Sequence, residues 1–220
     1  GDISGTLTNG TSSAVTVTFT ITPSAGSCVG TPITATVTVN PLPTVADAGA
    51  NKTACVSPGN VTMTGNTAVT GTGTWTQVGG PVTANILSPN APNSVINGLT
   101  TAGTYTFRWT IANAPCTSSF DDVDVVVSQN PASFSIGGAG TFCVPGTTLT
   151  GPVDPNFTYQ WGRSYLTAPY TNIGTGQTQV VTASGNYQLV VTNQFGCTAS
   201  ATAVVNVADY VFNGSIGAGD

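Results

Sequence analysis

The 220-residue chain contains no histidine and no glutamate, and only three of its residues are basic. Histidine is the side chain that most often transfers protons near neutral pH and binds metals, so most enzyme classes are improbable for this composition. The chain has a formal net charge of −5, and its three positive charges cannot neutralise a run of phosphates. Nucleic acid and anionic membrane surfaces are therefore poor partners, and a basic binding patch is excluded. No apolar run reaches the length of a membrane span.

Charged residues make up only 5% of the chain, whereas hydrophobic residues make up 40%. Disordered chains show the opposite balance, so we expect the chain to fold. It is rich in threonine and valine and also has 27 glycines and 14 prolines. Because β-branched side chains suit strands and Gly and Pro favour turns, the composition predicts an all-β fold with essentially no helix.

One hairpin pattern occurs three times in the chain. The copies read VTVTFTITPSAGSC ending at Cys28, TYTFRWTIANAPC ending at Cys116, and NYQLVVTNQFGC ending at Cys197. Each copy alternates apolar and polar residues with period two, turns at Gly, Pro or Asn, reaches a cysteine, and then alternates again. Period-two alternation is typical of half-buried strands, and three copies at similar spacing indicate internal repeats.

A second pattern precedes the last two hairpins. It reads KTACVSPGNVTMTG at 52–65 and TFCVPGTTLTG at 141–151, and a strand with Trp75 or Trp161 follows each copy. About seven short strands with a central tryptophan predict an antiparallel β-sandwich. We therefore expect complete sandwiches at 43–130 and 131–208, with Asn-Pro at both joints. Residues 1–42 would be the second half of a further sandwich, and 209–220 the first strand of the next repeat.

The motifs support a family resemblance. Residues 45–130 resemble the PKD-like domains of secreted Bacteroidetes proteins through GTWTQVGGP, GLTTAGTYTFRWTI and CTSSFDDVDVVV. Residues 131–208 resemble the Ig-like domains of the same proteins through FCVPGTTLTG, YQW and TASGNYQLVVTNQFGC. Residues 1–42 resemble the second half of another PKD-like unit. The resemblance implies type IX secretion and an extracellular role at the cell surface, like that of large repeat-built adhesins.

The same motifs predict core residues. Gly185, Tyr187 and Leu189 resemble the G-x-Y-x-C corner of immunoglobulin domains, with Leu189 in the place of the inter-sheet cysteine. Buried aromatics supply much of a sandwich's apolar area. The predicted core residues are Trp75, Tyr105, Phe107, Trp161, Tyr187 and Leu189.

Five cysteines without a C-x-x-C spacing favour disulfides over a metal site in an exported chain. We expect the pairing to follow the repeats, so that Cys55 joins Cys116 and Cys143 joins Cys197, which would staple the start of each sandwich to its last hairpin. Cys28 is left over. Its partner lies upstream of residue 1, or its thiol is free.

Joining the tail to the head gives VFNGSIGAGDISGTLTNG, a plausible pair of strands around a Gly turn. One hypothesis is that the chain is a window on a tandem array with a period of about 218 residues. The other is that the tail of one copy completes the first sandwich of the next copy, which is strand addition between subunits. In both cases the partners are further copies, end to end.

The sequence contains two candidate sites for other functions. Asp121, Asp122 and Asp124 form the only acidic cluster and were considered as calcium ligands, although no cofactor is expected and a solvated strand is the simpler interpretation. Tyr165, Tyr170 and Tyr210 are the candidates for a sugar-binding platform.

We predict no enzyme. We predict a disulfide-stapled, semi-rigid rod that is a structural segment of a cell-surface filament or adhesin. The alternative is a non-catalytic spacer or carbohydrate-binding region of a secreted hydrolase.

Overall fold

A computed structural model describes residues 5–143, 145–165 and 169–208. These residues form eighteen β-strands and contain no helix, which confirms the predicted all-β fold. The chain divides into two compact units, Gly1–Val127 and Ser128–Asp220. The strand predicted within 209–220 lies outside the described residues, and the three predicted boundaries between the four segments stay predictions.

The first unit contains eleven strands. They are β1 Val15–Ile21, β2 Ser24–Ala25, β3 Cys28–Val29, β4 Ile33–Val39, β5 Lys52–Cys55, β6 Val61–Thr62, β7 Thr72–Gly79, β8 Asn85–Ile86, β9 Val95–Asn97, β10 Gly103–Ala112 and β11 Ser119–Ser128. The last of these ends one residue beyond the boundary of the unit.

Residues 5–42 form a two-stranded ribbon, here called the first hairpin, in which β1 pairs antiparallel with β4. The register sets Val17 opposite Val37 and Phe19 opposite Ala35, so apolar residues share one face and threonines share the other. None of the described residues up to position 40 is buried. The hairpin therefore presents an uncovered apolar face, as expected for half of a sandwich.

Residues 43–127 form the middle sandwich. One sheet has the strand order β5-β11-β10-β7, and the other has the order β6-β9-β8. Alternation along β10 turns Tyr105, Phe107, Trp109 and Ile111 toward the core, where all four are buried. Residues from the region of the smaller sheet close the cluster from the other side, including Met63, Ile96 and Leu99.

Trp75 and Trp109 are the largest residues of this core. They are directly opposite each other in the antiparallel register of β7 and β10, and their ring centroids lie 5.0 Å apart. The Trp109 indole NH donates to the main-chain carbonyl of Asn66 at 3.2 Å. Gly73 lies on the same face as Trp75, where the absence of a side chain leaves room for the Trp109 ring.

The chain that enters the middle sandwich runs beside its last strand, β11. The amides of Ala46 and Ala48 donate to the side chains of Ser119 and Asp121, and the Asn51 carboxamide oxygen accepts from the Asp124 amide. Each pair is separated by 73 residues, and a constant separation means that the two segments are parallel. β5 continues along β11 in the same sheet.

The second unit forms the last sandwich, residues 128–208. Its strands are β12 Gly140–Cys143, β13 Thr147–Thr150, β14 Thr158–Ser164, β15 Thr171–Gly174, β16 Thr178–Val181, β17 Gly185–Thr192 and β18 Thr198–Ala208. One sheet has the order β12-β18-β17-β14-β15, and β13 pairs with β16 in the other.

The core of the last sandwich is centred on Trp161, Tyr187 and Leu189, all of them buried. The first strand of its larger sheet again runs parallel to the last strand, since Gly140 pairs with Val205 and Cys143 with Ala208. These parallel pairs are the departure from the purely antiparallel sandwich that the sequence predicted. They arise because the first strand of each sandwich joins the sheet that carries the last hairpin.

Both sandwiches contain the same tyrosine corner. The Tyr105 hydroxyl donates to the Thr101 carbonyl at 3.0 Å, and the Tyr187 hydroxyl donates to the Ala183 carbonyl at 2.6 Å. Each carbonyl lies four residues before its tyrosine. The rings are buried, so the hydroxyls need these partners.

Substituting Gly73→Ala should destabilise the middle sandwich by about 1–3 kcal/mol, because the new methyl group would overlap the Trp109 ring. Urea unfolding followed by tryptophan fluorescence measures the change. Gly10→Ala is the matched control, since no heavy atom lies within 4 Å of that position. Equal midpoints for the two variants would contradict the packing described for Trp109.

Substituting Tyr105→Phe or Tyr187→Phe should each lower the free energy of unfolding by about 0.5–1.5 kcal/mol, because each change removes one hydrogen bond of a buried side chain. Thermal unfolding monitored by circular dichroism measures the loss. Tyr165→Phe serves as the control because Tyr165 is 77% exposed. A loss as large in the control would show that the corner bonds contribute nothing of their own.

Candidate functional site

Each sandwich has two distinct ends, fixed by the parallel pairing of its first and last strands. The leading end is where the chain enters, and the turn of the last hairpin lies there too. The trailing end is where the last strand finishes and the chain leaves. Because β11 has ten residues and β18 has eleven, the two ends are about 30 Å apart in each sandwich.

At the leading end of the middle sandwich, the β10–β11 turn contacts the incoming chain. The Asn113 carboxamide donates to the Pro41 carbonyl at 2.9 Å, and the Cys116 thiol donates to the Asn40 carbonyl at 3.9 Å. A shallow groove beside this turn is lined by Leu7, Val37, Leu42 and Cys116, among others.

The last sandwich repeats this arrangement. The Asn193 carboxamide donates to the Gln129 carbonyl at 2.9 Å, and the Asn130 carboxamide donates to the Thr198 carbonyl at 3.1 Å. The Cys197 sulfur lies 3.7 Å from the Ser128 carbonyl oxygen. In both sandwiches an asparagine of the hairpin turn therefore holds the incoming segment by a hydrogen bond, and a cysteine sulfur lies beside that segment.

The predicted disulfide pairing is wrong. Cys116 and Cys143 have free thiols, whereas Cys55 and Cys197 are disulfide-bonded. Cys55 ends β5 near the end of β11, while Cys116 lies in the turn before β11 begins. A disulfide requires α-carbons within about 7 Å, and these two residues are at opposite ends of one sandwich.

A disulfide between Cys143 and Cys197 is excluded for the same reason, because the two residues lie at opposite ends of the last sandwich. Cys143 pairs with Ala208 at the end of β18, and Cys197 immediately precedes the first residue of that strand. The repeats correctly identify equivalent cysteines, but the parallel first strand carries its cysteine to the trailing end. Cys28, which the sequence left unpaired, has an exposed free thiol and begins β3 of the first hairpin.

Protein groups engage all three carboxylates of the acidic cluster. Asp121 accepts from the Ala48 amide at 2.8 Å, and Asp124 accepts from the Thr106 hydroxyl at 2.8 Å. Asp122 forms a bidentate ion pair with Arg108, in which Nε and Nη2 of the guanidinium donate to the two carboxylate oxygens at 2.7 and 2.8 Å. Asp121 faces the opposite side of the strand from the other two. No group of three or more His, Cys or Asp side chains in the described part of the chain could hold a metal ion.

The ion pair changes the titration of both partners. The hydrogen bond from Arg108 lowers the pKa of Asp122, and burial opposes this shift only partly. The same hydrogen bond raises the pKa of Arg108. The Arg108 guanidinium also stacks on Phe120 at 4.0 Å from the ring centroid. On this outward face of the middle sandwich, the side chain of Arg108 therefore links β10 to β11 through Asp122 and Phe120.

The two described tyrosines among the candidates for sugar binding, Tyr165 and Tyr170, do not form an open platform. The Arg163 guanidinium covers one face of the Tyr165 ring at 4.3 Å from its centroid. Tyr170 is half-buried against Gly162, and Tyr210 lies outside the described residues. Arg163 also donates to the Ser184 carbonyl at 2.7 Å. Nearby, burial raises the pKa of Tyr187, and the Arg163 charge partly offsets this rise.

All six residues predicted for the core are buried: Trp75, Tyr105, Phe107, Trp161, Tyr187 and Leu189. Trp109 is also buried in the core of the middle sandwich and was not among the predicted residues, although alternation along TYTFRWTIA places it on the same face as Tyr105 and Phe107. Asn113 and Asn193 were not among the predicted residues either. The available signal was their position, three or four residues before the hairpin cysteine in both repeats.

The described part of the chain contains no helix with the length and hydrophobicity of a membrane span. The PKD-like domain family matches residues 1–43. No curated protein is significantly similar to the chain in sequence.

Three solved structures illustrate the structural similarity. The PKD domain of the KIAA 1837 protein is 24% identical, with 40% of this chain and 90% of that chain covered and a TM-score of 0.35. The Ig1-2 module of the Drosophila receptor protein tyrosine phosphatase DLAR is 15% identical over 77% of this chain and 100% of that one, with a TM-score of 0.32. The fibronectin(III)-like modules of Clostridium thermocellum CbhA are 10% identical over 76% and 95%, with a TM-score of 0.40.

The ion pair between Arg108 and Asp122 predicts a pH-dependent coupling. Because the folded-state pKa of Asp122 is lowered, its contribution to stability is complete above the unfolded-state pKa and is lost as the pH falls through the folded-state value. A double-mutant cycle with Arg108→Gln and Asp122→Asn should show favourable coupling at pH 7 and none once the carboxyl is protonated. Coupling that persists unchanged in acid would contradict the ion pair. High salt should weaken the coupling at pH 7.

Proposed function

We propose that the chain is a structural repeat segment of an extracellular, cell-surface filament or adhesin. The observation that carries this proposal is the strand order shared by the two sandwiches. In each of them the chain enters at one end and leaves at the other. A series of such sandwiches, joined by segments that contain proline, would extend as a semi-rigid rod.

The same strand order suits a segment under tension. In the last sandwich the first strand, β12, is hydrogen-bonded directly to the last strand, β18, and runs parallel to it. Pulling the chain from its two ends would slide these strands past each other and load several hydrogen bonds at once. Unzipping from one end would instead break them one at a time. The middle sandwich pairs β5 with β11 in the corresponding place.

The uncovered face of the first hairpin supports further copies as partners. An isolated two-stranded hairpin is marginally stable in water, so β1 and β4 need a covering sheet. Val17, Phe19 and Val37 are among the residues that such a sheet would bury. The missing strands come either from residues upstream in the same polypeptide or from the tail of a neighbouring copy. In both cases the sandwich is completed end to end.

The low charge density is consistent with an extracellular structural role. Only Lys52, Arg108 and Arg163 offer sites to trypsin-like proteases. Arg108 is engaged with Asp122, and Arg163 is bound to Ser184 and stacked on Tyr165. The folded chain therefore presents few attachment points for proteases or polyanions.

Electron microscopy of material released from the cell surface tests the rod directly. The proposal predicts filaments with an axial repeat of about 35–40 Å per sandwich, labelled along their length by antibodies against the chain. Discrete particles attached to a catalytic domain would contradict it and favour the spacer of a secreted hydrolase. Intact mass after reduction and denaturation then separates the two forms of assembly. A 22 kDa species indicates separate subunits, and a larger species indicates one continuous polypeptide.

A further inference from the structure

The cysteines occupy two kinds of position, one at each end of a sandwich. Cys116 and Cys197 lie in hairpin turns at leading ends, whereas Cys55 and Cys143 finish a first strand at trailing ends. Cys28 belongs to the leading group, since it begins β3 in the short β2–β3 connection between β1 and β4, away from the end at which β4 leaves the hairpin.

A disulfide within one sandwich is excluded by distance. The leading and trailing ends are about 30 Å apart, which is far beyond the reach of a disulfide. A cysteine at either end can therefore be bonded only to a cysteine of whatever is adjacent at that end. One residue of each group, Cys55 and Cys197, is already disulfide-bonded. Both kinds of position thus support disulfide formation.

We infer that Cys143 forms a disulfide with Cys28 of the next copy along the filament. Cys143 is an exposed thiol at the trailing end of the last sandwich, and Cys28 is an exposed thiol at the leading end of the first. The inference rests on the proposed end-to-end assembly and adds a covalent bond to each joint between copies. Cys116 is not part of this bond, because it is half-buried against the Asn40 carbonyl within its own unit.

The bond forms by thiol–disulfide exchange with a disulfide oxidant of the extracytoplasmic space, for which oxidised glutathione is a suitable reagent. The Cys143 thiolate attacks one sulfur of the oxidant and releases the first glutathione thiolate. The Cys28 thiolate then attacks the Cys143 sulfur of the mixed disulfide and releases the second. Two protein thiols are oxidised, one glutathione disulfide is reduced, and the two protein protons pass to the two glutathione thiolates.

The small number of basic residues makes this bond easy to map. Complete tryptic digestion gives four peptides, residues 1–52, 53–108, 109–163 and 164–220, because the chain has three cleavage sites. Cys28 is the only cysteine of the first peptide, and Cys116 and Cys143 share the third. In a Cys116→Ala variant, a link between the first and third peptides can only be Cys28–Cys143.

The experiment uses the 220-residue chain oxidised with glutathione, and native filaments extracted in the presence of N-ethylmaleimide. We expect the link between peptides 1–52 and 109–163 in both samples. We also expect a ladder of 22 kDa multiples from the oxidised chain on non-reducing gels. Cys143→Ala and Cys28→Ala should abolish both signals, whereas Cys116→Ala should leave both unchanged.

Three results would overturn the inference. They are absence of the link from both samples, its survival in the Cys143→Ala variant, and its loss in the Cys116→Ala variant. Filaments that are seen by microscopy but carry alkylated Cys28 and Cys143 would refute the disulfide and leave the rod intact. Absence of filaments would refute the rod itself.

Discussion

The parallel pairing of the first and last strands is the constraint on which the rest of the structure depends. In the last sandwich it is the β12–β18 ladder, and in the middle sandwich it is the constant separation of 73 residues between the incoming chain and β11. Because a hairpin precedes the last strand, this pairing sends the chain in at the turn and out at the opposite end. The direction of the chain and the placement of the cysteines follow from it, and the proposed response to tension rests on it.

The interior of each sandwich keeps this frame rigid. Alternation along β7, β10 and β14 buries Trp75, Trp109 and Trp161 in the two cores. In each sandwich a tyrosine corner ties the start of β10 or β17 to the chain before it. The buried tyrosine hydroxyls and indole NH groups donate hydrogen bonds to main-chain carbonyls. These donors therefore do not incur the free-energy penalty of burying a polar group without a partner. The charged side chains and the asparagines of the hairpin turns therefore lie at the ends and on the outer faces of the sandwiches.

Sequence patterns predicted the strands, the repeats and the burial of residues such as Trp161 and Leu189, because period-two alternation reports directly which face a residue occupies. They failed for the disulfides. Repeat spacing shows that Cys55 and Cys143 are equivalent, but it does not show whether their strand runs parallel or antiparallel to the last one. The hydrogen bonds of Asp121 and Asp122 could not be predicted either, because the register between strands determines that their partners are Ala48 and Arg108.

Double electron–electron resonance between spin labels at Cys143 and Cys197 of the last sandwich tests the central claim most directly. A variant with Cys28, Cys55 and Cys116 replaced by serine retains only Cys143 and Cys197 for spin labelling. The parallel first strand predicts a label separation of about 30–40 Å, which is the length of β18. A separation below about 10 Å would place both residues at one end of the sandwich and contradict the account.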